Sequence, residues 1–479
     1  MNAVVPIDAG LKAESALSAI LERQRAAFLR DGPPLLTDRR RDLTKLKDAI
    51  LARQEEFVAA LDADFGHRAR QETVLLDLGS AIGTINYLHA HLRRWMRPER
   101  RSVAMVFFPG SNRVVYQPLG VVGIISPWNF PISLALAPLA TALAAGNRVM
   151  LKPSEITPTT AGLLATMLSE LFPEEQVAVV TGDAKVGSAF SALPFDHMLL
   201  TGSIPVGRAV MRAASENLVP VTLELGGKSP VIVERDAQLR MAARRIAYGK
   251  LANGGQICVA PDYLLLPEEA IETFVTLFKE EVEKLYPNIG SNVDYTWIIN
   301  DHHFARLSAL VLDAAAKGAR VMEIGTKSAS MDTQSRLFLP TIILDVSDAM
   351  KMMQEEIFGP ILPIVPYREL DEAIAYVNAR PRPLALYVFS SRREGSRRVI
   401  ERTASGNVVI NDTIFHYAQD DLPFGGVGAS GMGAYHGPEG FKSMSHAKGV
   451  YEQPRINIAE GVRPPFGRFF EFLSFFMLR

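Results

Sequence analysis

Val121-Val122-Gly123-Ile124-Ile125-Ser126-Pro127-Trp128-Asn129-Phe130-Pro131 is the stretch that decides the fold. Its first half, Val121–Ser126, is a short β-branched apolar run, the composition of a buried strand. Pro127 ends that run, and Pro131 stands where a helix over Pro131–Ala145 would begin. The alternation then repeats. Apolar runs recur at Arg148–Leu151, Val177–Thr181, Met198–Thr201, Val221–Leu225 and Val231–Val233, with helical segments such as Thr159–Leu171 and Pro205–Asn217 between them. Strand–helix alternation makes a parallel sheet with helices on both faces, an α/β fold, and such sheets bind ligands at the carboxyl ends of their strands.

Outward from this stretch, no residue between Val114 and Asn147 is charged. Pro118, Pro127, Pro131 and Pro138 break the run, so a strand, a loop and a buried helix are expected rather than a membrane span. Upstream, Leu43, Leu46, Ile50, Phe57 and Leu61 recur at helical spacing, and the first hundred residues are read as helices. Val103, Val106, Phe107 and Phe108, then Pro109-Gly110, then Val114–Tyr116 follow the pattern of a hairpin over Ser102–Pro118. Downstream, Tyr263–Leu266, Ile361–Val365, Ala385–Ser390 and Val408–Asn411 are expected strands of a second α/β unit. Glu268–Leu285 is its charged amphipathic helix.

The 479 residues exceed one ordinary core, which implies two or three domains. With 48% apolar and 22% charged residues the composition is that of a soluble globular protein. A net charge of −1 leaves no basic excess to neutralise phosphates, so nucleic acid is not an expected partner. The single cysteine allows no intrachain disulfide and fits a reducing cytosol. Residues 1–30 show no secretory signal. No metal site is expected.

Cys258 sits in Gly254-Gly255-Gln256-Ile257-Cys258-Val259-Ala260-Pro261. A lone cysteine is more often a small buried hydrophobe than a nucleophile. The flanking glycines and proline indicate a loop, which can present a thiol to a cleft. Asn129 either donates to a developing oxyanion or merely caps the next helix. Glu224 stands in an otherwise apolar strand, where a carboxylate is costly unless paired or functional. A raised pKa would suit it to deprotonating water or a thiol, and a salt bridge to Lys228 or another cation is the structural alternative.

Two glycine patterns compete for a dinucleotide. Gly426-Val427-Gly428-Ala429-Ser430-Gly431 matches the fingerprint by letter but follows Leu422-Pro423-Phe424 rather than a strand, and is read as a tight loop. Thr201-Gly202-Ser203-Ile204-Pro205-Val206-Gly207 lies between a strand and a helix, so the helix N-terminus can face a pyrophosphate. Lys152-Pro153-Ser154-Glu155 follows another strand end and either meets ribose hydroxyls or forms a solvated ion pair. Gln354–Pro360 sets a carboxylate and an aromatic ring beside a turn.

Together, Pro127–Pro131, Lys152–Glu155, the Gly202–Gly207 turn, Glu224–Lys228, Gly255–Cys258, Glu355–Pro360 and Pro423–Gly426 resemble the aldehyde dehydrogenase superfamily. They stand in that family's order over roughly residues 100–450. Ala260–Tyr263 and Pro423–Gly437 are most similar to its class-3 branch and to bacterial coniferyl aldehyde dehydrogenases. The resemblance implies a Rossmann-like NAD(P)-binding domain (1–101 and 119–226) and a catalytic domain (227–430). It adds a small β oligomerisation arm with a C-terminal tail (102–118 and 431–479), in a homodimer. Cys258 would attack the aldehyde, Asn129 and the Cys258 backbone N–H would hold the oxyanion, and Glu224 would activate water against the resulting thioester. Ser126, Trp128, Lys152, Glu155, Gly202, Ser203, Gly207, Leu225, Gly226, Glu356 and Phe358 would hold the cofactor. Glu155 would repel a 2′-phosphate and so favours NAD, with NADP left open.

Phe130 and Phe424 would line an aromatic substrate tunnel, with Ala137 hinting at a wide entrance. Phenylpropenals such as coniferyl aldehyde and medium-to-long aliphatic aldehydes both suit such a tunnel. CoA-acylating members usually lack the counterpart of Glu224, so release of a free acid is expected. A non-catalytic member is the competing reading, disfavoured by the presence of Cys258, Asn129 and Glu224 together. The segment Pro464–Arg479 carries six phenylalanines. It is too short and too charged to span a bilayer. It either packs on the body or the partner subunit, or lies on a membrane surface. The expected location is cytoplasmic, peripheral to the inner face of a membrane in the second case.

Overall fold

The structure is a computed structural model in which residues 5–6, 11–326, 335–455, 460 and 463–478 are described. Its first large sheet has the strand order Val5–Pro6, Val177–Thr181, Arg148–Lys152, Val121–Ile125, His197–Gly202, Val221–Leu225 and Gly431–Met432. Every pairing is parallel except the last, where Gly431 lies opposite Glu224. After Val121–Ile125 the next two strands build to one side, and the chain then returns to build on the other. The order reverses at Val121–Ile125, and the crevice beyond the carboxyl end of such a strand is where open α/β sheets bind ligands. Ser126–Asn129 begins there.

The uncharged stretch resolves as strand, loop and helix. Helix Ser133–Ala145 is buried at every position and packs against helix Gly79–Trp95 as well as the sheet. Its apolar character on all sides follows from that enclosure. Among the described residues no helix is long and apolar enough to cross a membrane.

The second sheet has the order Arg320–Glu323, Thr341–Leu344, Ile361–Tyr367, Tyr263–Pro267, Pro230–Val233, Ala385–Phe389 and Asn407–Ile410. Only Arg320–Glu323 runs antiparallel. The inner strands are apolar along their whole length because both faces are covered.

The hairpin expected over Ser102–Pro118 is displaced. Ser111–Pro118 is the middle strand of a three-stranded antiparallel sheet, flanked by Glu99–Arg101 and Ser445–Glu452. The apolar run before Pro109 forms the connecting loop, with a 3-10 turn at Met105–Phe107. Charged Glu99, Arg100 and Arg101 take the edge instead, since an exposed edge strand needs backbone pairing and no apolar face. Met105, Phe107 and Phe108 are left exposed.

Candidate active site

A cleft of about 720 Å³ opens at the reversal point, with walls from both large sheets. The first unit contributes Trp128, Asn129, Gly202, Ser203, Glu224 and Gly226, and the second contributes Cys258, Glu356 and Phe358. A smaller cavity of about 70 Å³ is lined by Leu76, Phe130, Ser133, Ile414, Phe415 and Tyr417, among others. Among the described residues Cys258 is the one common to both linings.

Helix Leu239–Leu251 ends in a left-handed turn, with φ 52° at Asn253, 61° at Gly254 and 74° at Gly255. A Cβ on Gly255 would stand 2.5 Å from the Gly359 carbonyl, so glycine lets this loop touch the Glu355–Pro360 segment. Buried Gln256 donates to the carbonyls of Asn253 (2.8 Å) and Trp297 (3.0 Å) and accepts from the Ile299 N–H (3.0 Å). The loop is therefore pinned from three directions. It leaves Cys258 partly exposed to the cleft. The backbone N–H groups of Cys258 and Val259 favour its thiolate, but burial and the facing Glu356 and Glu224 outweigh them and push the thiol up to about 12. The protein alone holds a thiol, and attack needs a base or added positive charge.

Glu224 is buried, and neither carboxylate oxygen has a hydrogen-bond partner among the described residues. Burial alone raises its pKa well above the ordinary value. The salt-bridge alternative fails. Lys228 pairs with Asp262 and donates to the carbonyls of Met352 (2.6 Å) and Glu355 (3.0 Å), because the Gly226-Gly227 turn carries it away from the strand. The capping alternative for Asn129 fails too, since Ile132 is the N-cap of the following helix. Asn129 Nδ2 donates to the Gln256 carbonyl at 3.0 Å, and an amide has a second N–H to offer the cleft.

The dinucleotide signals gather on the same cleft. Helix Ile204–Ser215 starts at Ser203 without a side-chain cap, leaving first-turn N–H groups open where Gly202 and Ser203 line the wall. A Cβ on Gly207 would come within 2.5 Å of Leu225 Cδ2, so this glycine seats the helix on the sheet. A Cβ on Gly226 would collide with the Glu356 carboxylate. Burial, helped by Asp262, raises Glu356 to about 8. The Trp128 ring meets Phe358 edge-on at 5.4 Å and His303 at 4.9 Å. Phe358 has φ +50°, a strained value for a side chain of its size. An uncapped helix start, an unpartnered buried Thr201 hydroxyl and a glycine cradle facing a carboxyl fit a nicotinamide dinucleotide.

The chain matches the aldehyde dehydrogenase family over residues 12–450. It belongs to the aldehyde dehydrogenase family. A coniferyl aldehyde dehydrogenase of a Pseudomonas species is 48% identical over 454 residues, 94% of either chain. Among solved structures, Staphylococcus aureus AldH in a substrate-bound state has a TM-score of 0.90 at 37% identity, covering 96% of this chain and 99% of that one. A Mycobacterium tuberculosis aldehyde dehydrogenase complexed with NAD+ has a TM-score of 0.83 at 31% identity, covering 93% and 91%. The chain is thus an NAD(P)-dependent enzyme that oxidises aldehydes.

Other expected site residues of this aldehyde dehydrogenase lie outside the cleft wall. Lys152 and Glu155 form an ion pair at 2.6 Å. Ser126 is buried with an unpartnered hydroxyl, and Leu225 packs beneath Gly207. Phe130 lines the small cavity, and Phe424 meets the cavity residue Tyr417 edge-on at 5.1 Å. Ala137 is enclosed in the buried helix. Sequence reasoning missed Arg306, which holds the carbonyls of Glu356 (3.3 Å) and Ile357 (2.5 Å), and Ile414, a β-branched residue at φ +48° in the small cavity. It also missed Tyr417. None carries a local signal, since each reaches the site through tertiary packing.

Proposed function

We propose that this aldehyde dehydrogenase oxidises phenylpropenal-type aldehydes of the coniferyl kind to their free carboxylic acids. Cys258 is the nucleophile, Asn129 the oxyanion donor and Glu224 the base for hydrolysis. The observation that carries the proposal is the meeting of two cavities at Cys258, one suited to a dinucleotide and one walled by Phe130, Phe415 and Tyr417. Attack by Sγ on the carbonyl carbon, its proton passing to the ionised form of Glu224, moves an electron pair to the carbonyl oxygen, within reach of the Asn129 amide and the Cys258 N–H. The dinucleotide, when bound, supplies the hydride acceptor, so that carbon becomes an acyl thioester. Glu224, buried and without a partner among the described residues, releases that proton to solvent, takes one from the water that attacks the thioester and returns it to the leaving sulfur, giving the acid and the thiol. That base supports hydrolysis over transfer to CoA.

NADH absorbance with coniferyl aldehyde and with straight-chain aldehydes, with and without CoA, tests this. The highest kcat/KM is expected for the phenylpropenal without CoA, and none for Cys258→Ala. An aliphatic preference overturns the substrate, and full activity of the alanine variant overturns the chemistry.

In the same reading, residues 1–101 and 119–226 form the cofactor unit and 227–430 the catalytic unit. Residues 102–118 and 431–479 form the arm and tail, although Gly431–Met432 also closes the edge of the first sheet. The three-stranded sheet with exposed Met105, Phe107, Phe108 and Tyr451 supports a homodimer. A monomer in sedimentation velocity would overturn that. The setting is cytoplasmic, where a lone thiol stays reduced. Helix Arg468–Met477 leaves Phe469, Phe472 and Phe475 exposed on this chain, which favours peripheral contact with a membrane. Liposome binding should be lost on removing residues 464–479 with activity kept; equal binding by both forms contradicts it.

A further inference from the structure

We propose that Arg68 is a positioning residue for the oxidation, its guanidinium clamping the main chain at Asn129 and so aiming the Asn129 amide at the oxygen of the Cys258 adduct. The proposal rests on Asn129 being the oxyanion donor. Arg68 follows helix Gln54–Phe65, which ends at Gly66 in the left-handed conformation (φ 73°). That turn sends the arginine inward, where its side chain is fully enclosed. Nη1 donates to the Asn129 carbonyl at 2.9 Å. Asn253 Nδ2 donates to the same oxygen at 3.1 Å and to the Gln256 carbonyl at 3.2 Å. The Gln256 carbonyl also accepts from Asn129 Nδ2. One closed network therefore holds the backbone oxygen and the side-chain amide of Asn129, and runs directly into the loop that carries Cys258.

The same cation reaches the substrate wall. Arg68 Cζ lies 4.6 Å from the Phe65 ring centre and 5.0 Å from that of Phe130, and Phe130 lines the small cavity. Its counter-charge is Asp77, 3.7 Å away and equally buried, which accepts the Ser133 N–H at 2.5 Å. Packing alone does not explain a charge here. A buried ion pair is costly, and an apolar side chain of similar volume fills such a site at least as well. Among the described residues Nε and Nη2 of Arg68 make no hydrogen bond, and Nη2 stands 3.7 Å from Asp77, so the pair falls short of a bidentate bridge. The contact the guanidinium makes well is the one to Asn129. Displacing a catalytic donor by an ångström costs on the order of a hundredfold in rate.

The test is a double-mutant cycle on the full chain, read as the single-turnover rate with NAD and an aromatic aldehyde, alongside KM values and melting temperature. Arg68→Met is expected to slow turnover by about 10- to 100-fold with KM for NAD nearly unchanged, and Arg68→Lys to recover part of the loss. In the Asn129→Ala background neither substitution should slow the enzyme further. The same fold-loss in both backgrounds overturns the proposal, because a residue that merely supports the fold acts additively. So does a folded Arg68→Lys or Arg68→Met enzyme with the wild-type rate. If Asn129→Ala itself keeps the wild-type rate, the oxyanion assignment fails first, and the two failures are told apart. Should Arg68→Met not fold, the lysine variant runs the same cycle.

Discussion

Glu356→Gln separates stability from function at one carboxyl. Burial and the facing Asp262 raise the Glu356 pKa from 4.5 to about 8. In the unfolded chain the group ionises above 4.5, whereas in the folded protein it stays protonated up to about 8. The folded state therefore loses stability as pH climbs through that window, by about 1.4 kcal/mol per pH unit. At pH 7 the accumulated cost is about 3 kcal/mol, a ceiling because the side chain keeps partial contact with the cleft. Glutamine preserves the shape and the acceptor for the Gly227 N–H but cannot ionise. The variant should be more stable than the wild type by about 1–3 kcal/mol at pH 7, with the gap closing towards pH 5. KM for NAD should rise at the same time. Thermal melting of both proteins without cofactor from pH 5 to 8 reads the difference. A variant that melts below the wild type, or a gap that stays flat across the range, refutes the reasoning.

Two further outcomes test the cleft. The Cys258 thiol, pushed up to about 12, should be alkylated by iodoacetamide at a rate rising about tenfold per pH unit between pH 7 and 10 in the cofactor-free enzyme. A plateau below pH 9 would show a thiolate already formed. Gly226→Ala sets a methyl group against the Glu356 carboxylate and should raise KM for NAD by about tenfold or more, with less effect on the aldehyde. An unchanged KM for NAD contradicts the placement of the cofactor.

Much of this architecture is legible along the chain. The apolar runs from Val121 to Val233 are local and unambiguous, because strands covered on both faces need no polar positions. Glu224 announced itself as a charge inside such a run. What stayed hidden depends on distant partners. Glu99–Arg101 becomes a strand only because Asn112–Val114 pairs with it. Arg68 reads as an ordinary surface arginine until Asn129 and Phe130 close over it. Tyr417, which lines the small cavity and meets Phe424 edge-on, carries no motif that marks it. Ile414 reaches the cavity through a backbone conformation that no β-branched residue advertises.

The proposed reaction passes through a covalent acyl thioester on Cys258 that Glu224 helps to hydrolyse. Intact-mass and peptide-mass spectrometry of Glu224→Gln, mixed with NAD and coniferyl aldehyde, tests it most directly. The variant is expected to accumulate an adduct on Cys258 weighing the aldehyde less two hydrogens, formed with one equivalent of NADH. Steady turnover at the wild-type rate with Cys258 unmodified would contradict it.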